Sequence, residues 1–315
     1  MSGTTRRWLG RAGLVVLLVA VGLALAQQWD AVRSSASQLS VGAVLGALVL
    51  AVLATLATAL AWRTVLADLG SPVPVGSALR VFLVGQLGKY VPGSVWPVVL
   101  QMQLGRSYAL PRARVAVASL ATIGVGLLSG VLLAAVCLPL AGGDRARPYA
   151  FLLALVPVLL VGLHPRVLVP SLDRVLRRLG RAGLDGRLSW PGTLTAVAWT
   201  VVSWLCNGAG TWLLLRDLGG TGGLLLATGA FAAAWTAGFV VVVAPAGAGV
   251  REAGLVVLLS GALDVGPATL LAICSRAVLT VADVAAAGAA ALLGGRPSAD
   301  GVVEDRAASA DGQPT

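Results

Sequence analysis

Lysine occurs once in the 315 residues, at Lys89, and histidine once, at His164; glutamate occurs twice, at Glu252 and Glu304. Charged residues of every kind amount to 11%, against 57% hydrophobic, and the mean hydropathy is +0.90. So few charges cannot cover the surface of a water-soluble globule, which excludes a soluble enzyme or binding module. The chain is expected to be an all-α polytopic membrane protein. Its three cysteines, Cys137, Cys206 and Cys274, lie in apolar segments without CxxC or Cys/His spacing. That argues against disulfides and against a metal site, and leaves them as small core residues. The sequence also lacks an HExxH, an Asp-rich metal motif and a nucleophile paired with a base, so no metal, cofactor or catalytic residue is nominated.

The charge that is present is mostly arginine, and it brings the net charge to +10. The arginines neither form a basic domain nor alternate with exposed aromatics. They cluster in short stretches between apolar runs, which argues for membrane topology and against nucleic acid. Arg6, Arg7 and Arg11 before the apolar run at 14–25 also fit a cleavable signal peptide, but with many more spans following, an uncleaved first helix serves equally well.

A spanning helix needs about 20 apolar residues. Six such runs are expected to be full spans, at about 12–29, 41–62, 115–138, 149–163, 193–215 and 267–293. Two more apolar regions, about 79–104 and 224–261, are interrupted at Lys89-Tyr90-Val91-Pro92-Gly93 and at Pro245-Ala246-Gly247-Ala248-Gly249. Proline removes an amide donor and glycine loosens the backbone, so each region is expected to be two helical pieces meeting at a non-helical, re-entrant turn.

With the N-terminus in the cytoplasm, 16 basic residues fall in cytoplasmic stretches and four, Arg33, Arg145, Arg147 and Arg216, outside. This asymmetry predicts both termini in the cytoplasm and external loops at 139–148 and 216–223. Lys89, Arg251 and Arg276 are left within the membrane-embedded segments. The halves 1–147 and 148–295 each read as helix, helix, broken segment, helix. Three full crossings in the first half start the second on the opposite side, which makes two inverted repeats. Paired interruptions in such halves point to a transport site near the midplane. The residues from 296 to 315, rich in Ala, Asp, Gly and Ser, are expected to form a disordered, dispensable cytoplasmic tail.

An ionised group in hydrocarbon costs at least roughly 2.5–3.5 kcal/mol, so the embedded charges should face protein, water or ligand. Lys89 follows Gly85 and Gly88, which allow close backbone approach, and precedes Pro92-Gly93. Two readings stand: a turn that holds an anionic headgroup beside a cation, or a lysine that snorkels to the interface next to a plain turn. In "PAGAGVREAG", Arg251 offers bidentate phosphate binding with Glu252 orienting it or exchanging protons. The alternative is electrostatic, with Glu252 near a helix N-terminus and Arg251 paired elsewhere. Arg276 and Asp283, seven apart on one helix face, read as a structural pair or as partners for the other charges. Trp62, Tyr90 and Trp96 read as interfacial anchors. His164 reads as a loop residue, and Gly42-xxx-Gly46 and Gly126-xxx-Gly130 as close helix packing.

Together "GQLGKYVPGSVWP", followed by Arg106, Arg112 and Arg114, and "PAGAGVREAGLVVLLSG" resemble the transmembrane, flippase-like domain of bacterial lysylphosphatidylglycerol synthases and its stand-alone relatives, over about 10–295. The resemblance implies a bacterial plasma-membrane protein that handles lipid, as the full-length synthases move an aminoacylated phospholipid across the bilayer. It nominates Gly88, Lys89, Pro92, Gly93, Pro245, Gly247, Gly249, Arg251 and Glu252 as headgroup-binding, with Arg276 and Asp283 as supporting charges. The full synthases append a soluble aminoacyl-transferase domain, which this sequence does not show after its last helix, so it is not expected to make lysylphosphatidylglycerol by itself. Three functions follow: a translocator of an anionic phospholipid or polyprenyl-linked glycan, a membrane subunit of a headgroup or glycosyl transferase, or an anchor for a cytoplasmic transferase. For the anchor, the six-arginine loop at 164–192 offers a surface for anionic lipid or an acidic protein. A second copy of the chain is the other partner considered.

Overall fold

The structure is a computed structural model, and it describes residues 39–90, 95–141, 147–178, 188–240 and 249–293. The first expected span, 12–29, and the tail from 296 lie outside the described residues, as do Pro92, Gly93, Pro245 and Gly247. The described residues form helices and short connections, with no strand among them beyond one isolated bridge between Ser260 and Leu263.

Ten α-helices follow in order. They are α1 (Val41–Asp68), α2 (Val75–Gln86), α3 (Trp96–Arg106), α4 (Arg112–Leu140), α5 (Val156–Leu163), α6 (Pro165–Arg178), α7 (Trp190–Asp217), α8 (Leu224–Val240), α9 (Val250–Leu259) and α10 (Val265–Leu293). A 3₁₀ turn (Leu87–Tyr90) continues α2, and a 3₁₀ segment (Arg147–Leu155) leads into α5. Three helices, α1, α4 and α10, are long and apolar enough to cross a membrane. A bent pair at 149–171 makes a fourth if counted as one span. The fifth expected span, α7, is as long as α1 at 28 residues. It carries Thr193, Thr195, Thr200, Ser203, Asn207 and Thr211, which dilute its apolar character.

Helices α1 and α7 run antiparallel and clasp each other at both ends. The backbone N and Oγ of Ser40, N-cap of α1, donate to the Asp217 carboxylate at 2.6 and 2.8 Å. Those of Ser189, N-cap of α7, donate to Asp68 at 2.6 and 2.7 Å. Each serine Oγ also accepts the amide three residues on, from Ala43 and Gly192. The first-turn amides and the neighbour's last-turn carboxylate are thereby satisfied together. Along the contact α1 presents a small-residue face of Ala47, Ala51, Ala54 and Ala61, which lets the backbones approach where lipid supplies no hydrophobic drive. The hydroxyls of Thr55, Thr58, Thr200 and Thr211 donate to the carbonyl four residues back, so these polar groups are not stranded in apolar surroundings.

Both helices also end alike. Gly70 and Gly219 have φ of +81° and +79°, and the next amides, of Ser71 and Gly220, return to Leu66 O and Leu215 O, the cap for which only glycine is unstrained. These features recur 149 residues apart: Val41 and Trp190, Asp68 and Asp217, Gly70 and Gly219, Val75 and Leu224. Each clasped helix is followed by a hairpin, α2–α3 or α8–α9, and then by a helix of 29 residues, α4 or α10. The long helices cross over: α4 packs on α8, and α10 packs on α2 and its 3₁₀ turn.

Several expectations change on this frame. Trp62 is no interfacial anchor: it is 0% exposed, and its Nε1 donates to Ser119 Oγ at 3.1 Å. Ser119 in turn donates to the buried Gln101, and an indole with a satisfied N–H is stable inside a protein. Of the glycine pairs, Gly46 meets Leu213 and Gly130 meets Thr236 and Trp204, but Gly42 and Gly126 do not sit at a helix contact. His164 caps α5 and stacks on Trp190 at 4.8 Å. The first half of the six-arginine loop is the helix α6, where Leu168 is buried and Arg166 and Arg174 are exposed.

Candidate functional site

The two hairpins approach from opposite ends of the molecule. α2 leaves the Asp68–Ser189 end and α3 returns to it. An ideal Cβ on Gly88 would lie 2.8 Å from the backbone of Trp96 and Pro97, and one on Gly85 would meet the backbone of Gln101. The close pass brings the 3₁₀ turn after α2 against the start of α3, away from that end. α8 and α9 leave and rejoin the Ser40–Asp217 end, where Thr221 N donates to Ala262 O at 3.0 Å. Partway along, Gly254 packs on Ala234.

Both hairpins bring charge to the middle of α10. From the first, Lys89 Nζ lies 2.6 Å from Asp283 Oδ2, and Tyr90 donates its hydroxyl to the same oxygen at 2.6 Å. The Lys89 side chain is 31% exposed and that of Asp283 4%. From the second, Glu252 lies in the first turn of α9. Its Oε2 accepts the amide of Gly249, the N-cap with φ of +85°, at 2.6 Å, and its Oε1 accepts from Arg276 Nη1 at 2.7 Å. The carboxylate therefore caps the helix, where negative charge is favoured, and fixes α9 to α10.

Arg276 and Asp283 do not pair with each other. Each takes a partner from a different hairpin. Seven residues separate them, about 10.5 Å of helix rise, and they sit about 5 Å either side of the centre of α10. On α4 the equivalent places carry Ile123 and Gly130, so mid-helix charge is confined to one of the two long helices. Nothing in the hydrophobic pattern marks which of the two would carry it.

Arg251 departs from this pattern. It is 8% exposed, and one of its amino groups donates to Ser275 Oγ at 3.1 Å. Its guanidinium lies 4.8 Å over the Phe231 ring. Among the described residues no carboxylate is within ion-pair distance of it. A guanidinium carries five N–H donors, and among the described residues Ser275 is the one side chain that accepts from it, which leaves room for a further acceptor. A small cavity between α1, α7, α8 and α10 is lined in part by Ser275 and Phe231, the two partners of Arg251, with Asn207 and Thr211.

Of the residues nominated from sequence, Lys89, Arg251, Glu252, Arg276 and Asp283 converge on one stretch of α10. Gly88 and Gly249 hold the backbones that deliver them. Sequence reasoning missed Ser275 and Phe231, for which a serine and a phenylalanine in apolar helices give no signal. It also missed Tyr90 as a ligand of Asp283, because an aromatic beside a proline turn equally fits a membrane interface. A family model described as the lysylphosphatidylglycerol synthase TM region matches residues 11–287 of the chain. No curated protein matches it.

Proposed function

Since the chain belongs to the lysylphosphatidylglycerol synthase transmembrane family, a family of membrane domains tied to lipid handling, we propose that it carries an anionic lipid headgroup across the plasma membrane. The cluster on α10 is its binding site. The observation that supports this most is Arg251: a guanidinium 8% exposed, with a hydroxyl and a ring for partners and no carboxylate among the described residues. A structural arginine so far from water would ordinarily be paired. An anion supplied from outside would complete it.

In this reading the 149-residue recurrence is an inverted repeat. The two hairpins are re-entrant segments, entering from opposite leaflets to meet at the midplane, and alternating access is a rocking of one half against the other. Lys89, partly exposed, attracts the phosphate from one side without leaving Asp283, and Arg251 holds it within. Ion pairs to Asp283 and Glu252 keep Lys89 and Arg276 oriented while the site is empty, and leave Arg251 for the ligand.

Reconstitution of the full chain in proteoliposomes tests this. Arg251→Met and Lys89→Met should each abolish translocation of a labelled anionic phospholipid while leaving insertion and abundance intact. Wild-type rates in both variants would remove the charged cluster from the mechanism and leave the hairpins as structure.

A further inference from the structure

We propose that the headgroup this site accepts is a phosphodiester of net charge −1, and that the site disfavours headgroups of net positive charge as well as phosphomonoesters and diphosphates. The proposal deepens, and rests on, the reading of the α10 cluster as a headgroup site.

Among the described residues, the charged side chains that meet at the middle of α10 can be counted. The segments 12–29, 91–94 and 241–248 contain no ionisable residue. Among the described residues the cluster is Lys89, Arg251 and Arg276 against Glu252 and Asp283. Both carboxylates are already committed: Asp283 to Lys89 and Tyr90, Glu252 to Arg276 and the Gly249 amide. One positive charge is left over, and it is the buried one, Arg251.

In surroundings of low dielectric, a binding partner is chosen chiefly by whether it closes this imbalance. A diester monoanion closes it. Its two non-bridging oxygens also match the planar fork of a guanidinium, which already gives one N–H to Ser275 and its face to Phe231. A second negative charge has no free cation to meet, because Lys89 and Arg276 would first have to leave their carboxylates. A lysylated glycerol phosphodiester carries two ammonium groups against one phosphate, so it adds to the excess. Rejection of that kind is how a site separates chemically similar ligands. The chain would then handle the unmodified anionic lipid in preference to the aminoacylated one.

Native mass spectrometry of the full chain, titrated with lipids of equal acyl length, reads this directly. Phosphatidylglycerol should bind roughly tenfold or more tightly than phosphatidylethanolamine, lysylated phosphatidylglycerol and phosphatidic acid, a margin one uncompensated charge readily supplies. Asp283→Asn removes one carboxylate, and preference should move toward phosphatidic acid and a polyprenyl diphosphate. Glu252→Gln makes the same change at the other hairpin and serves if the first variant fails to fold. Inorganic phosphate should not displace phosphatidylglycerol; displacement would reassign the site to a free ion and overturn the proposal. Equal binding of lysylated and unmodified lipid, or an unchanged ranking in both carboxylate variants, would overturn the charge assignment while leaving a lipid site. Absence of binding by any lipid would remove the headgroup reading with it.

Discussion

Lys89 holds Asp283 in the structure, and the proposed function gives the same side chain a ligand-binding role. Its ammonium is 2.6 Å from Asp283, so Lys89→Met leaves a carboxylate 4% exposed with only a tyrosine hydroxyl. The expected loss is roughly 1–3 kcal/mol, below that for a fully buried pair because the lysine is 31% exposed. The double variant Lys89→Met/Asp283→Asn should recover most of that stability, read as thermal midpoint in detergent, without recovering transport; Lys89→Arg should keep part of both. Recovery of transport by the double variant would show that the pair matters only for folding. Gly88 gives a steric test. Its Cβ would fall 2.8 Å from two backbone atoms of Trp96 and Pro97, which have no rotamer to relax. Gly88→Ala should cost about 1–3 kcal/mol, whereas Gly126→Ala, with nothing within 4 Å, should be neutral or stabilise by up to about 1 kcal/mol.

Among the elements, α1 and α7 form the fixed axis of the molecule. Their clasps use serine N-caps and aspartates in the last turn of the partner, an arrangement in which each carboxylate neutralises a neighbour's helix N-terminus. Ser40→Ala and Ser189→Ala should each lower stability by about 1 kcal/mol. The clasps lie about 42 Å apart along 28-residue helices, so the losses should add, and thermal unfolding of the double variant checks this. A loss in the double variant well below the sum would mean that one end already frays. The hairpins are joined to this axis differently. Buried Gln101 binds α3 to α4 through Ser119, which also receives Trp62 from α1. α9 is tied to α10 through Glu252 and Arg276.

Charge divides the whole molecule between its two ends. Arg63 and Arg114 donate to the loop carbonyls of Val73 and Gly70 at the Asp68–Ser189 end, where Arg106, Arg112 and Arg166 also lie. At the Ser40–Asp217 end stands Arg216. On the positive-inside bias, the first end is expected to face the cytoplasm. In a variant with Cys137, Cys206 and Cys274 replaced, a single cysteine at position 220 should react with an impermeant maleimide in intact cells, and one at position 109 only after permeabilisation. The reverse pattern would invert the topology, and with it the leaflet from which each hairpin enters. The span count belongs to this scale too: α7 is clasped to α1 at both ends and has the same reach, so it is expected to cross beside α1.

Composition alone made the chain a helical membrane protein, since 11% charge leaves no other way to solvate it. Apolar run length set α4 and α10 to within three residues and α1 to within six, because hydrocarbon thickness acts on each helix separately. The two proline–glycine stretches fall between described helices, α2 and α3 in one case and α8 and α9 in the other, because a missing amide or a missing Cβ disfavours helix locally. The family, too, was legible in two short motifs. Partnership was not. Arg276 and Asp283 share a helix face, and local spacing joined them as readily as it separated them. The assignment of Asp283 to Lys89 spans 194 positions, and that of Glu252 to Arg276 depends on how α9 turns against α10. The same holds for Trp62, an interfacial aromatic by sequence and a core residue once Ser119 lies beneath it. Which charge is left over, Arg251, follows only when every carboxylate has been given its partner. Pairing energies depend on distances between helices, and those are fixed by packing across the two halves rather than by any segment read alone.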